Sequence, residues 1–173
     1  METLEHWTEQ DHRLAASCKN VGDLAHLGIA LLRELSSKGA IAQLCGPMST
    51  GGLGSRSANL SVFSQCIHIS REQGLLVFNQ LPFQGALHQL TADFSPEEKA
   101  TTILECFWRP VFEAQIVSAA YFLPTWDTSR GAIWERKLVQ VLPRIQLKDF
   151  PEKWYLEALR RHEEGLLTAT KRV

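Results

Sequence analysis

The sequence has no excess of charge of one sign, no closely spaced cysteine pair and no long apolar run. Its 18 basic residues are balanced by 19 acidic ones, whereas surfaces that bind nucleic acid cluster lysine and arginine. The 4 cysteines contain no C-x-x-C pair, unlike zinc knuckles and small disulfide scaffolds. No apolar stretch approaches the ~20 residues that cross a bilayer, and residues 1–10 lack the apolar segment of a signal peptide. We therefore expect a cytoplasmic protein that binds neither a membrane nor a nucleic-acid polymer.

Motifs of metal-dependent and serine-hydrolase chemistry are also missing. The sequence His162-Glu163-Glu164 lacks the H-E-x-x-H spacing of zinc proteases, and the other histidines form no ligand pattern. No G-x-S-x-G motif is present. We expect no metal and no organic cofactor.

Short apolar segments alternate with helical patterns along the chain. The pattern predicts strands at 41–45, 75–78, 120–123 and 144–147. It predicts helices at 23–37, 60–73, 95–118 (broken before Pro110), 132–141 and 151–167, with 1–20 as a polar, frayed or helical extension and 80–94 as a loose stretch. This alternation is typical of parallel βαβ units. We expect one α/β domain over residues 1–173, with a Rossmann- or flavodoxin-like open parallel sheet of about four to five strands and helices on both faces.

Ligands of such sheets bind at the carboxyl ends of the strands, where the strand order reverses. The segments 46–59 and 124–131 follow the first and third predicted strands, so they are the candidate binding loops. The first is rich in glycine but matches neither common phosphate motif: Gly52-Leu53 replaces the Lys-Ser/Thr of the P-loop, and Ser57 replaces the third glycine of the dinucleotide motif. Its glycines still allow backbone amides to approach an anion or a sugar. The alternative is a flexible surface turn.

The second loop, from Trp126 to Glu135, places hydroxyl groups and a glycine at the start of a helix. Backbone amides at a helix N-terminus favour a phosphate. Glu135 lies near the positive end of that helix, which favours its ionised form, and an ionised carboxylate is the nucleophile that covalent glycosyl transfer requires. In the alternative interpretation, Thr128 or Ser129 only caps the helix and Glu135 pairs with a surface lysine.

The segment Cys45-Gly46-Pro47-Met48-Ser49-Thr50-Gly51-Gly52, together with Ser129-x-Gly131-x-x-x-Glu135, resembles the nucleoside 2-deoxyribosyltransferase-like superfamily, in particular a bacterial and phage branch of it. The resemblance covers about residues 41–147. It implies cleavage or transfer of an N-glycosidic bond in a nucleotide or nucleoside, with Glu135 attacking the anomeric carbon to form a glycosyl-enzyme intermediate. Hydrolysis and transfer to a second base both remain open.

The resemblance also implies roles for the remaining residues. Serine at 129, where transferases of free nucleosides have aspartate, is similar to the branches that hydrolyse nucleoside 5′-monophosphates, so Ser129 and Gly131 would receive the phosphate. An acidic residue in the helix before the third strand would protonate or orient the leaving base, and Glu113 fits best, with Glu105 the other option. The further substrate-binding candidates are Gly46, Pro47, Met48, Ser49, Gly51, Gly52, Trp126, Asp127 and Arg130.

Family members form dimers or larger assemblies, so the resemblance also implies a homo-oligomer. A second function fits many of the same observations, namely a nucleotide-binding sensor or interaction module that keeps the pocket without turnover. The imperfect match for the leaving-group acid favours the sensor, and the intact S-x-G-x-x-x-E motif favours the enzyme.

Overall fold

The computed structural model describes residues 6–170 and has a parallel β-sheet at its centre. The strands are β1 (Ile41–Cys45), β2 (Leu76–Val77), β3 (Ala119–Phe122) and β4 (Gln146–Asp149). They lie in the order β2-β1-β3-β4, and every neighbouring pair is parallel. Ala42 pairs with Val77 on one side and with Ala119 on the other. The α/β fold with an open parallel sheet is therefore confirmed, and the strand order reverses between β1 and β3.

Eight α-helices connect and flank the strands in the described part of the chain. They are α1 (Glu9–Ser17), α2 (Val21–Ser36), α3 (Arg56–Glu72), α4 (Phe83–Leu90), α5 (Pro96–Thr102), α6 (Arg109–Glu113), α7 (Arg130–Val141) and α8 (Glu152–Thr170). A π-helix, Ile103–Trp108, joins α5 to α6, and a 3-10 turn, Trp126–Thr128, precedes α7.

The helical segment before β3 does not break at Pro110, contrary to the prediction. Pro110 lies in the first turn of α6, directly after the wide π-helical turn. Proline lacks a backbone N–H, so its position next to this change of hydrogen-bonding pattern costs little.

Helices cover both faces of the sheet because the side chains of β1 alternate between two apolar clusters. Ile41 and Cys45 belong to the cluster under α2, the π-helix and α7, whereas Ala42 and Leu44 belong to the cluster under α3 and α8. All five residues of β1 are buried, as expected for a central strand covered on both sides.

The N-terminal segment is part of the core and not only a polar extension. Trp7 is 6% exposed, its indole N–H donates to the carbonyl oxygen of Asn79 at 2.8 Å, and its ring packs edge-on against Phe83 at 4.6 Å between centroids. Thr8 and Asp11 form a capping box that starts α1. Residues 1–5, which the signal-peptide argument also used, lie outside the described residues.

Other elements also differ from the sequence prediction. The helical segment predicted to reach residue 118 ends at Glu113. The segment 80–94, predicted to be loose, contains α4, and β4 begins two residues later than the predicted start at position 144. Within residues 6–170, no helix combines the length and apolarity needed to span a bilayer.

Candidate functional site

A cavity of about 460 Å³ opens where the segments after β1 and β3 meet α4, α5 and the π-helix. This volume is within the ~300–1,000 Å³ of typical small-molecule sites. The lining residues are Gly46, Met48, Ser49, Thr50, Gln84, Leu87, Pro96, Glu97, Ala100, Ile103, Leu104, Trp108, Ser129, Arg130, Gly131, Ala132 and Glu135. The cavity therefore lies at the edge of the sheet where the strand order predicts a ligand.

The N-terminus of α7 forms one side of this cavity. Ser129 is the N-cap, is 5% exposed, and accepts a hydrogen bond from the Ala132 N–H at 3.4 Å. Arg130 and Gly131 follow it and also line the cavity. Ser129 thus caps α7 and also lines the cavity. Its role as a helix cap is therefore compatible with a role in ligand binding. Amides at the start of a helix attract anions.

Glu135 contributes a buried carboxyl group to the same cavity. It is 4% exposed, and no ion pair to it is found within residues 6–170, so the proposed pairing with a surface lysine is wrong. Burial raises the pKa of Glu135 to about 8. Burial thus favours the protonated form of Glu135, against the expectation that the helix end keeps this carboxyl group ionised.

Cys45, the last residue of β1, lies beneath Glu135. Burial raises the pKa of the Cys45 thiol well above its usual range, and the neighbouring Glu135 carboxylate raises it further. The thiol therefore stays protonated and donates a hydrogen bond to Glu135, which opposes the upward shift of the Glu135 pKa. Strand β1 thus supplies a polar group that supports ionisation of this carboxyl group.

The glycine-rich loop divides into residues that face the cavity and residues that face the neighbouring loop. Gly46, Met48, Ser49 and the unpredicted Thr50 line the cavity, whereas the predicted Pro47, Gly51 and Gly52 do not.

Gly51 and Gly52 pack against the turn before α7. Both have positive φ angles, 71° and 58°. A Cβ atom on Gly51 would lie 2.1 Å from the carbonyl oxygen of Thr128, and the Gly52 N–H donates to Thr128 Oγ1 at 2.8 Å. Glycine at position 51 is therefore required by the contact between the two loops. Glycine at position 52 is required within its own loop, because a Cβ atom there would lie 2.5 Å from Asn59 Oδ1. No ligand is needed to explain either glycine.

Asn59, in the first turn of α3, fixes the same loop from its other side. Its side chain is buried, accepts from the Leu53 N–H at 2.8 Å and donates to the Gly51 carbonyl oxygen at 3.0 Å. The glycine-rich loop is thus held at both ends of its turn, which argues against the flexible-turn interpretation.

Trp126 and Asp127 lie in the 3-10 turn and do not line the cavity. The Arg136 guanidinium lies 4.5 Å from the centre of a Trp126 ring and 5.0 Å from that of Phe122. Trp126 is therefore engaged by the protein itself, and Asp127 is exposed to solvent.

The two predicted leaving-group acids lie outside the cavity. Glu113 pairs with Arg109 at 3.5 Å on α6, and Glu105 pairs with Arg109 at 2.5 Å and accepts from the Trp134 indole at 3.1 Å. The cavity lining contains one other carboxylate besides Glu135, that of Glu97 in the first turn of α5. Glu97 is 83% exposed in its side chain and lies 3.9 Å from Arg130 at the cavity mouth.

Sequence reasoning missed the side of the cavity built by α4, α5 and the π-helix. Gln84, Leu87, Ala100, Ile103, Leu104 and Trp108 come from these elements. Residues 95–98, Ser-Pro-Glu-Glu, are a helix start that could have drawn attention to Glu97. Glu98 completes the capping box with Ser95, so the cap does not account for the second glutamate, Glu97. The π-helical turn has no signal in a pattern with a period of 3.6 residues.

Within residues 6–170, no group of three or more histidine, cysteine or acidic side chains is arranged to hold a metal ion. Comparisons of the chain with protein-family models, with curated proteins and with solved structures found no match. The residues of the site themselves are therefore the basis for the assignment of function.

Proposed function

We propose that this chain cleaves or transfers the N-glycosidic bond of a nucleoside 5′-monophosphate through a covalent glycosyl–Glu135 intermediate. The observation that carries the proposal is a buried carboxyl group without an ion-pair partner in the described structure, facing a ligand-sized cavity beside a helix N-terminus. A buried carboxyl group costs folding free energy, so its presence in a cavity points to chemistry.

The start of α7 would hold the phosphate of the substrate. Ser129 offers a hydroxyl group, and the backbone around Gly131 offers amides to an anion. Arg130 adds a guanidinium at the mouth, where a phosphate would compete with Glu97 for it.

Glu135 would then act as the nucleophile. In its ionised form, one carboxylate oxygen forms a bond to C1′ of the sugar while the bond from C1′ to the base nitrogen breaks, with the bonding electrons leaving on the base. Water or a second base attacks C1′ in the next step and releases Glu135. The Cys45 thiol, which donates to the carboxylate, stabilises the ionised form before attack and after release.

The cavity lining offers Glu97 for the role that the resemblance gives to Glu113. It is the second carboxyl group on the cavity, at the start of α5, and lies 3.9 Å from Arg130 at the mouth. We propose that Glu97 orients the leaving base or passes a proton to it.

A nucleotide-binding sensor remains the second candidate, because one observation favours it directly. At neutral pH a carboxyl group with a pKa of about 8 is mostly protonated, and a protonated carboxyl group binds a ligand without attacking it.

The decisive experiment incubates the protein with ribo- and deoxyribonucleoside 5′-monophosphates and the matching nucleosides, and follows free base by chromatography. Wild type should release base from a monophosphate, while Glu135→Gln should bind the same compound without releasing base. Tight binding by both proteins, with no base released by either, would establish the sensor instead.

Glu97→Gln and Glu113→Gln form a matched pair in the same assay. Glu97→Gln should slow base release at least about tenfold, in the range of a lost acid–base contribution. Glu113→Gln should leave the rate within about twofold of wild type, because its carboxylate is bound to Arg109 outside the cavity. The reverse order of effects would return the role to Glu113.

A further inference from the structure

The lining of the cavity is divided between polar and apolar elements. The polar groups Ser49, Thr50, Ser129 and Arg130 come from the segments after β1 and β3. The remaining lining, from α4 to the π-helix, presents mainly the apolar side chains Leu87, Ala100, Ile103, Leu104 and Trp108. We call these five residues the apolar wall.

The apolar wall is built into the core and is not an accidental surface patch. Leu87 is 2% exposed and Trp108 is 3% exposed, and the Trp108 ring packs edge-on against Phe107 at 4.7 Å between centroids. Three of its members belong to the π-helical turn, an element that occurs frequently at functional sites.

The division fixes how an amphiphilic ligand would lie. A sugar phosphate finds its hydrogen-bonding partners at α7 and at the loop after β1, so the base must face the apolar wall. From α4 and α5, only Gln84 and Glu97 add polar side chains to the lining. The exocyclic amine or carbonyl of an ordinary base, pressed against leucine, isoleucine and tryptophan, would lose water without gaining a partner. An alkyl or aralkyl group at the same position would gain from burial.

We propose that the cavity selects nucleotides whose base carries an apolar substituent over the corresponding unsubstituted nucleotides. This inference rests on the proposed function only for the orientation of the ligand, with the phosphate at α7 and the base toward α5. The substrate class is thus a nucleoside monophosphate with an alkylated or aralkylated base.

The test measures binding by calorimetry in the Glu135→Gln background, so that no ligand is consumed. The probes are two pairs: adenosine 5′-monophosphate with its N6-benzyl derivative, and uridine 5′-monophosphate with its 5-propynyl derivative. In at least one pair the substituted compound should bind about tenfold or more tightly than its parent, the gain expected for burying several carbon atoms.

Ala100→Leu tests whether the apolar wall causes the preference. Ala100 is half-buried on α5 and lines the cavity, so a leucine there fills the space of the substituent without disturbing the core. It should abolish the tenfold gain, so that the parent and the substituted compound bind the variant with affinities within about twofold of each other. Thr101→Leu places the same side chain at the next position of α5, outside the cavity lining, and should preserve the gain.

The result separates this inference from the proposed function. Equal affinities within both pairs, no binding by any of the four compounds, or a gain that survives Ala100→Leu would overturn the preference, whether or not wild type releases base. A preference that Ala100→Leu removes, with no base released by wild type, would support the apolar wall while overturning the glycosidase.

Discussion

Burial raises the pKa of Glu135 to about 8 and so favours the protonated carboxyl group at neutral pH. The hydrogen bond from the Cys45 thiol lowers this pKa and partly offsets the effect of burial.

The pH dependence of the reaction should therefore report on Glu135. Since the ionised form attacks in the proposed reaction, kcat/KM should rise with pH and level off above about 8. Cys45→Ala removes the hydrogen bond that lowers this pKa, so the rising limb should move to higher pH. Base-release rates between about pH 5 and 10 measure both profiles. A limb that does not move on Cys45→Ala would show that the thiol does not support the carboxylate.

The free energy of unfolding should fall as pH rises, whereas kcat/KM should rise. The pKa of Glu135 in the folded protein lies above its ordinary value of 4.5, so the unfolded chain loses this proton first, and stability is lost as pH rises from about 4.5 to about 8. Glu135→Gln removes the penalty. Its free energy of unfolding should exceed that of wild type by on the order of 5 kcal/mol above pH 8, and by little near pH 4. Urea unfolding at the two pH values measures the difference, and equal differences at both would contradict a buried, titrating carboxyl group.

At the scale of single elements, the start of α7 combines a structural cap, Ser129, with the proposed phosphate site. Gly131 has room for a methyl group, since an added Cβ would lie 3.8 Å from Leu104 Cδ2 and 3.9 Å from Ser129 Oγ. Nothing in the packing of the unliganded protein therefore requires glycine at this position.

Gly131→Ala should stabilise the fold and weaken phosphate binding. Alanine in a helix is favoured over glycine by roughly 0.5–1 kcal/mol, while its methyl group would enter the space beside the α7 amides. We expect a higher melting temperature together with an affinity for a nucleoside monophosphate at least about tenfold lower, and little change for the nucleoside. Equal losses for both ligands would place the phosphate elsewhere.

Two glycines of the glycine-rich loop, Gly51 and Gly54, should differ in how much their substitution lowers the free energy of unfolding. Gly51 and Gly54 both have positive φ angles, 71° and 82°, but a Cβ on Gly51 would collide with Thr128 whereas one on Gly54 meets nothing within 4 Å. Gly54→Ala should cost about 1 kcal/mol of backbone strain. Gly51→Ala should cost at least about 2 kcal/mol, because the loop or the turn before α7 must move. Denaturant midpoints of the two variants give the comparison, and similar costs would argue against the loop contact.

The strands that the sequence predicted well are short apolar runs between turn residues. Strands β1 and β3 are apolar and flanked by turn residues, so their positions were predicted to within a residue. The exposed edge strand β4 has no apolar alternation to fix its bounds, and Pro82 and Gly85 hide the start of α4. The sequence itself offers a reason to doubt Glu113 as a site residue, because Arg109 stands four residues before it, the spacing of a helical ion pair.

At the scale of the whole molecule, the N-terminal segment supports the site from behind. Trp7 contacts Phe83 at the start of α4, and the same helix carries Gln84 and Leu87 to the cavity. The sequence prediction treated residues 1–20 as an extension because a single tryptophan among polar residues gives no periodic signal. Its burial depends on partners about 70 residues away in the chain.

Trp7→Ala should therefore affect both stability and the cavity. Loss of a buried tryptophan costs about 3–5 kcal/mol, and the gap beside Phe83 would loosen α4. Chemical denaturation measures the first effect, and the affinity for an N6-benzyl nucleotide measures the second. Trp7→Phe is the control, since it keeps a ring against Phe83 and should lose less of each. A Trp7→Ala protein as stable as wild type would show that the segment is dispensable.

The contrast between Gly51 and Gly131 bears on how this chain would diverge over evolutionary time. Gly51 is constrained by the carbonyl oxygen of Thr128, a backbone atom that every residue at that position possesses. Lineages that lost the activity would still retain glycine at position 51, because without it the loop does not fit. Gly131 faces no such constraint and would drift once selection for ligand binding ceased. Invariance at 131, and not in the more conspicuous glycine-rich loop, would thus mark descendants that still use the site.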